Sequence, residues 1–206
     1  MAKLTINFTP VSPAPANGYR VKYRKVGTVS YNTLSPYATA SPVVITGLEN
    51  GVAYEGTIEA ACDSGVFSSP VSFSATAMSF VSCGATISNS YAGTAYYVYP
   101  DVFLDVYNPA ISQVSFNYDA VDRPNRFQVY DDAGNLVATS GWKGTATYSG
   151  PWGSSLSGTT SGVLTITRNP AVTYYKLVVE TGPANLSSPI NDGYTVGISC
   201  VTGGGS

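Results

Sequence analysis

Apolar and polar residues alternate from the first strand-length segment of the chain. Leu4, Ile6 and Phe8 are separated by Thr5, Asn7 and Thr9, the period of two that gives a strand one apolar and one polar face. After the Pro- and Gly-rich stretch VSPAPANG, Tyr19, Val21 and Tyr23 alternate with Arg20, Lys22 and Arg24. SYNTL, VVITGL, YEGTIEAAC and PVSFSAT follow, separated by the loop SPYATASP, the turn ENG and a loop through Phe67. Short strands at this spacing, with turn residues between them, predict a small β-sandwich over residues 1–77.

No stretch holds a helical period, so the whole chain is predicted to be all-β, with two β-sandwich domains. A short, fairly stiff junction is expected at residues 78–84, which are neither Pro-rich nor strongly polar. Beyond it, TAYYVYP, VFLDVY, ISQVSFNYDA, RFQVYD, NLVATSGW, GVLTITR, YYKLVVET and YTVGISC read as strands. They predict a jelly-roll-like, two-sheet sandwich over residues 85–201, followed by a flexible tail at 202–206.

Composition narrows the chemistry. Hydrophobic residues make up 44% of the 206, whereas Asp, Glu, Lys and Arg make up 11%, less than half the roughly 25% usual in soluble domains. With 16 tyrosines, this is a chain with a core to bury and not a disordered one. A net charge of −2 provides no basic field for a phosphate backbone, which argues against nucleic acid as a partner. Apolar runs are too short to span a bilayer as helices, so no membrane insertion is expected. Nothing before Thr9 combines a basic start, an apolar run of roughly 7–15 residues and a small-residue cleavage site, and synthesis in a cytoplasm without a signal peptide is the expectation.

Histidine is absent, which removes Ser-His-Asp and Cys-His catalysis and histidine-ligated metals. Glu55 and Glu59 share one strand face, yet no aromatic groove flanks them as a glycosidase site requires. No catalytic residue, cofactor or metal is expected. The run Asp131, Asp132, Ala133, Gly134, Asn135 reads as a hairpin turn, since it lacks the spacing of a calcium loop. The three cysteines have no short CxxC spacing. Two readings of them stand: reduced, buried thiols, or a disulfide between Cys83 and Cys200, which bracket the second domain.

The runs GYRVKYR, SPVVITGLENGVAYEGTIEAACDSG and SSPVSFSAT together resemble a fibronectin type III domain. Within them LENGVAY resembles the tyrosine corner of that family. The resemblance implies that Leu48 packs inward, Gly51 permits the turn and the Tyr54 hydroxyl returns to nearby backbone. That family has a strand before the one LTINFTP resembles, and a Trp where Phe8 stands. A sandwich lacking its first strand is implied, with an unpaired edge along Leu4, Ile6 and Phe8. Either another polypeptide or the tail of this chain adds a strand there, or Lys3 and Pro10 blunt the edge.

Residues 111–144, ISQVSFNYDAVDRPNRFQVYDDAGNLVATSGWKG, are similar to a module recurrent in tailed-bacteriophage virion proteins. The resemblance implies a non-enzymatic structural component of a virion (capsid decoration, neck, tail or fibre) that contacts other virion proteins and copies of itself. Release of particles by lysis accounts for an adhesion-like composition without a leader. In RPNRF, Arg126 is read either as a ligand for a carboxylate-bearing molecule or as a tie to backbone carbonyls or an acidic neighbour such as Asp119. The long Gly/Ser/Thr-rich loop at 145–162 carries Tyr148 and Trp152, with Trp142 just upstream. Aromatic anchors among small polar residues suit a contact surface, for a sugar or a neighbouring subunit, and a Trp folded back on its own sandwich is the remaining reading. Host surface glycans, bound by an adhesin module, form the alternative function.

Overall fold

The computed structural model describes residues 2–63, 65–92, 96–121, 124–144, 159–182 and 192–203. Among these every element is a strand, and the chain divides into two compact units, Met1–Phe80 and Val81–Ser206.

In the first unit, β1 (Ala2–Ile6) pairs antiparallel with β4 (Val43–Leu48), with Leu4 opposite Ile45. The second sheet runs from β3 (Asn32–Thr33) to β2 (Tyr19–Lys25) to β5 (Ala53–Asp63). The far edge of β5 takes β7 (Val71–Thr76) along Ala53 to Ile58, and β6 (Val66–Phe67) beyond it. The alternation read in the sequence decides which residues face in: Leu4, Val21, Ile45, Tyr54 and Ile58 form the core, while Arg20, Glu55 and Glu59 stay on the outer face. The Tyr54 hydroxyl accepts the Glu49 N–H at 3.3 Å, with Gly51 in the left-handed region at φ 75° and Leu48 packed on the core.

The short, stiff junction expected at residues 78–84 opens with a strand, β8 (Met78–Val81). It lies on the side of β1 away from β4, with Met78 opposite Lys3 and Ser79 opposite Ala2. Asn50 Oδ1 holds the Ser79 N–H at 2.7 Å, and the Lys3 ammonium sits over the Phe80 ring, 4.9 Å from its centroid.

The second unit has two antiparallel sheets. One orders β15 (Ser161–Thr167), β12 (Ile111–Asp119), β17 (Asp192–Thr202) and β9 (Thr86–Tyr91). The other orders β14 (Leu136–Lys143), β13 (Asn125–Tyr130) and β16 (Tyr174–Thr181), whose far edge takes β11 (Val102–Asp105) and then β10 (Tyr97–Val98). Phe116, Phe127, Leu177, Tyr175 and Tyr194 fill the space between them. Along β12 the inward parity slips between Ile111 and Val114 because the ladder with β17 carries a bulge there. The tail expected at 202–206 begins inside β17 with Thr202, and residues 204–206 lie outside the described residues.

Cys83 and Cys200 are joined by a disulfide, with their Cα atoms 5.6 Å apart. Cys62 is free and exposed, which corrects the reading of three reduced, buried thiols. Cys62 sits near the end of β5, past the pairing with β2 and β7 and between the two positions that pair with β6.

Candidate functional site

Arg126 and Trp142 come together on the outer face of the β14–β13–β16 sheet. On β13, Asn125, Phe127 and Val129 point into the core, so Arg126, Gln128 and Tyr130 point out. Gln128 faces Thr139 across the ladder, whereas Arg126 faces Trp142. One extra residue has entered β14 between them. The bulge lies at Ser140 and Gly141: Gly141 adopts φ 62°, and the Ser140 hydroxyl takes the place of a ladder carbonyl by accepting the Phe127 N–H at 3.0 Å. A bulge of this kind re-aims the next side chain, and here that side chain is Trp142.

The guanidinium of Arg126 lies 5.0 Å from the Trp142 ring centroid, within cation–π range. On the other side, Oε2 of its strand neighbour Glu180 receives Nε at 2.6 Å and also Nη2, a charge-assisted pair on one oxygen. The Tyr96 hydroxyl donates to Glu180 Oε1 at 2.8 Å. Desolvation at this site, together with the hydrogen bond and charge of Glu180, pushes the Tyr96 phenol above its ordinary range. The row Trp142, Arg126, Glu180, Tyr96 is therefore a held aromatic and polar surface with no unused carboxylate. A second pairing continues the face: the Lys176 ammonium is 5.2 Å from the Tyr130 ring centroid and 3.7 Å from Asp101.

The acidic neighbour suggested for Arg126, Asp119, is not its partner. Asp119 Oδ1 is occupied by the Val121 N–H at 3.0 Å, closing its own turn, while Glu180 stands opposite Arg126 on the adjoining strand. Glu180 and Tyr96 were not singled out as site residues from sequence. The one available signal was parity, since Glu180 and Lys176 are the charged residues at outward positions of YYKLVVET. Tyr148 and Trp152 lie outside the described residues.

Leu4 and Ile6, expected at an interface edge, turn their side chains into the core of the first unit, at 2% and 6% exposure. What β1 offers outward is backbone. The Phe8 N–H points toward Ser41 Oγ, at 3.0 Å, just before β4, so by the period of two the N–H groups of Thr5 and Asn7 point the other way. On that side the described residues pair with β1 only at Ala2 and Lys3. Beside the unpaired stretch lies a groove of about 260 Å³ lined by Phe8, Val11, Tyr19, Ile58 and Val71 among others. Phe8 packs edge-on against Tyr19, with centroids 4.6 Å apart, and Val71 is 64% exposed at the rim.

Further carboxylates among the described residues are also committed. Glu59 bonds Arg20 Nε and Glu55 bonds Arg24 Nε, each at 2.8 Å. The Arg20 hydrogen bond holds the Glu59 carboxyl below its ordinary range. Asp131 closes the turn ahead of β14 by accepting the Ala133 and Asn135 N–H groups at 3.0 and 2.7 Å. Among the described residues no three His, Cys, Asp or Glu side chains converge as a metal-holding group.

No protein-family model matches the chain, and no curated protein matches its sequence. Solved structures to which it is similar include a carbohydrate-binding module of the β-sandwich superfamily, at 12% identity and a TM-score of 0.29, covering 98% of each chain. A second is a glycoside hydrolase family 43 arabinoxylan arabinofuranohydrolase from Bacillus subtilis in complex with cellotetraose, at 11% identity and a TM-score of 0.32, covering 98% of this chain and 52% of that one. A third is infectious bursal disease virus, Gt strain, at 15% identity and a TM-score of 0.26, covering 100% of this chain and 57% of that one. The chain spans about half the length of the latter two.

Proposed function

We propose that this protein is a non-enzymatic structural component of a tailed-bacteriophage virion, made in the host cytoplasm and held in the particle by protein–protein contacts. The observation that carries the proposal is the half-covered edge of β1. The strand backbone from Leu4 to Ile6, the extended residues just after it and an adjoining apolar groove lie ready for a strand from a neighbouring virion protein or another copy. The fibronectin type III resemblance supports it, because β8 takes only two positions of the place where that family sets its first strand. The resemblance of residues 111–144 to phage virion modules supplies the setting.

Mass spectrometry of purified particles, with stoichiometry against the major shell protein, tests the setting. Amide exchange tests the edge. Thr5 and Asn7 are expected to exchange slowly in particles and fast in the free chain, and Asn7→Pro, which removes an outward N–H, is expected to block incorporation while leaving the free chain folded. Fast exchange of both amides in particles would refute strand addition.

A second reading, a carbohydrate-binding adhesin module, is favoured by the Trp142–Arg126–Tyr96 face, where an aromatic ring and hydrogen-bonding groups are fixed side by side. Binding of host glycans by the monomer, lost in Trp142→Ala, would favour it over the assembly reading.

A further inference from the structure

The second unit carries a groove of about 610 Å³ beside the end of β15, lined by Tyr107, Pro109, Ser112, Thr167, Arg168 and Pro170 among others. Its charge comes from Arg168, and Arg168 differs from the other described arginines. Arg20, Arg24 and Arg126 each place Nε on a carboxylate oxygen, at 2.8, 2.8 and 2.6 Å. Arg168 Nε is closed off from solvent and has no acceptor. Among the described residues its Nη2 reaches the carbonyls of Pro170 and Val172, both at 3.4 Å, the long end of hydrogen bonding. Asp132 is turned to Thr173, whose N–H and hydroxyl both donate to its Oδ2 at 2.8 Å.

Three of the four described arginines pair with a carboxylate, and Arg168 lines a groove without one, which leaves its terminal nitrogens as the place for a carboxylate from outside the chain. The walls indicate what carries it. Tyr107 is 41% exposed, and Pro109 and Pro170 add compact apolar rings, while Ser112 and Thr167 bring hydroxyls to the same space. A pyranose has this double character: its C–H face lies on rings, and its hydroxyls bond to hydroxyls. The groove volume lies within the range of small-ligand sites.

We propose that this groove binds an acidic saccharide, with a uronic-acid carboxylate on the Arg168 guanidinium and the sugar ring against Tyr107 and the prolines. The carboxylate meets the terminal nitrogens and replaces two long carbonyl contacts with charge-assisted bonds. The proposal does not depend on the β1 edge. It gives the second reading above a ligand class and a place separate from the Trp142 face.

The test is an NMR titration of the full chain with glucuronic acid, with glucose and acetate as comparison ligands. Glucuronic acid is expected to shift the Ser112, Thr167 and Arg168 amides saturably and more tightly than either. Arg168→Gln is expected to weaken it about tenfold or more. Arg168→Lys, which keeps the charge without the fork, is expected to retain part of the affinity, and it serves as the readout if Arg168→Gln does not fold. Trp142→Ala is expected to leave this binding unchanged. Equal binding of glucose removes the role of Arg168, and equal binding of acetate removes the saccharide. Shifts that map to Trp142 and vanish in Trp142→Ala place the ligand elsewhere and overturn the proposal.

Discussion

Reduction of Cys83–Cys200 should lower the stability of the second unit and leave the first unchanged. The cysteines are 117 positions apart, so the bond closes a loop nearly as long as the unit itself. By chain entropy alone, a loop of about that length restrains the unfolded chain by about 5 kcal/mol at 25 °C, although native disulfides commonly return 2–4 kcal/mol. At roughly 3–5 °C per kcal/mol for a unit of this size, the transition should fall by about 6–20 °C. Calorimetry of the intact chain with and without reductant is the assay, and the transition of the first unit, which holds only the free Cys62, is the internal reference. Reductant keeps both sulfur atoms in place and so isolates the cross-link. A Cys83→Ala/Cys200→Ala double variant should fall slightly further, because Cys200 also packs against the core. Denatured but unreduced protein should show one reactive thiol, and reduced protein three. A second-unit transition that moves by less than about 3 °C would refute the entropic reasoning, and three reactive thiols before reduction would remove the bond.

Two further outcomes concern the first unit. Gly56→Ala should destabilise it by about 2–3 kcal/mol or more, read from its denaturant midpoint, because a Cβ there would stand 2.1 Å from the Lys22 carbonyl oxygen and 2.5 Å from Phe73 Cζ. The Phe73 ring can rotate away, but the β2 backbone cannot without opening its ladder with β5. The second outcome is acid sensitivity. Arg20 holds the folded-state Glu59 carboxyl below its ordinary range, so the ion pair contributes stability above the unfolded value of about 4.3, and that contribution is lost as pH falls through the lower folded value. Acid titration of Glu59→Gln should show a shallower loss of first-unit stability below about pH 4 than the parent, and identical slopes would contradict the assignment.

Much of the fold was legible because its strands bury one face. Leu4 and Ile6, Tyr19 and Val21, Val43 and Ile45, and the inward residues of β13 and β16 all follow the period of two that the sequence displays. The elements that escaped reading lack that pattern for physical reasons. Of β9, only Ile87 and Tyr91 pack on the core, and in the sheet order it stands at the edge, paired with β17 alone, so TISNSY carries little apolar alternation. β8 is held to β1 by backbone pairing and by Asn50, neither of which leaves a mark in side-chain hydropathy.

The candidate sites were less legible because each depends on which strands become neighbours. Arg126 and Trp142 could each be picked out as residues, but their contact requires the added residue at Ser140–Gly141, since a shift of one in register moves a side chain to the opposite face. Glu180, 54 positions from Arg126, becomes its partner only because β16 pairs with β13. The same logic explains Arg168, which no motif marks. Its isolation is visible only once the carboxylates of Glu55, Glu59 and Glu180 are seen to be taken by other arginines and Asp132 by Thr173. Among the described residues most charged side chains are paired, and a cation without a carboxylate in a groove carries more information than any local pattern around it.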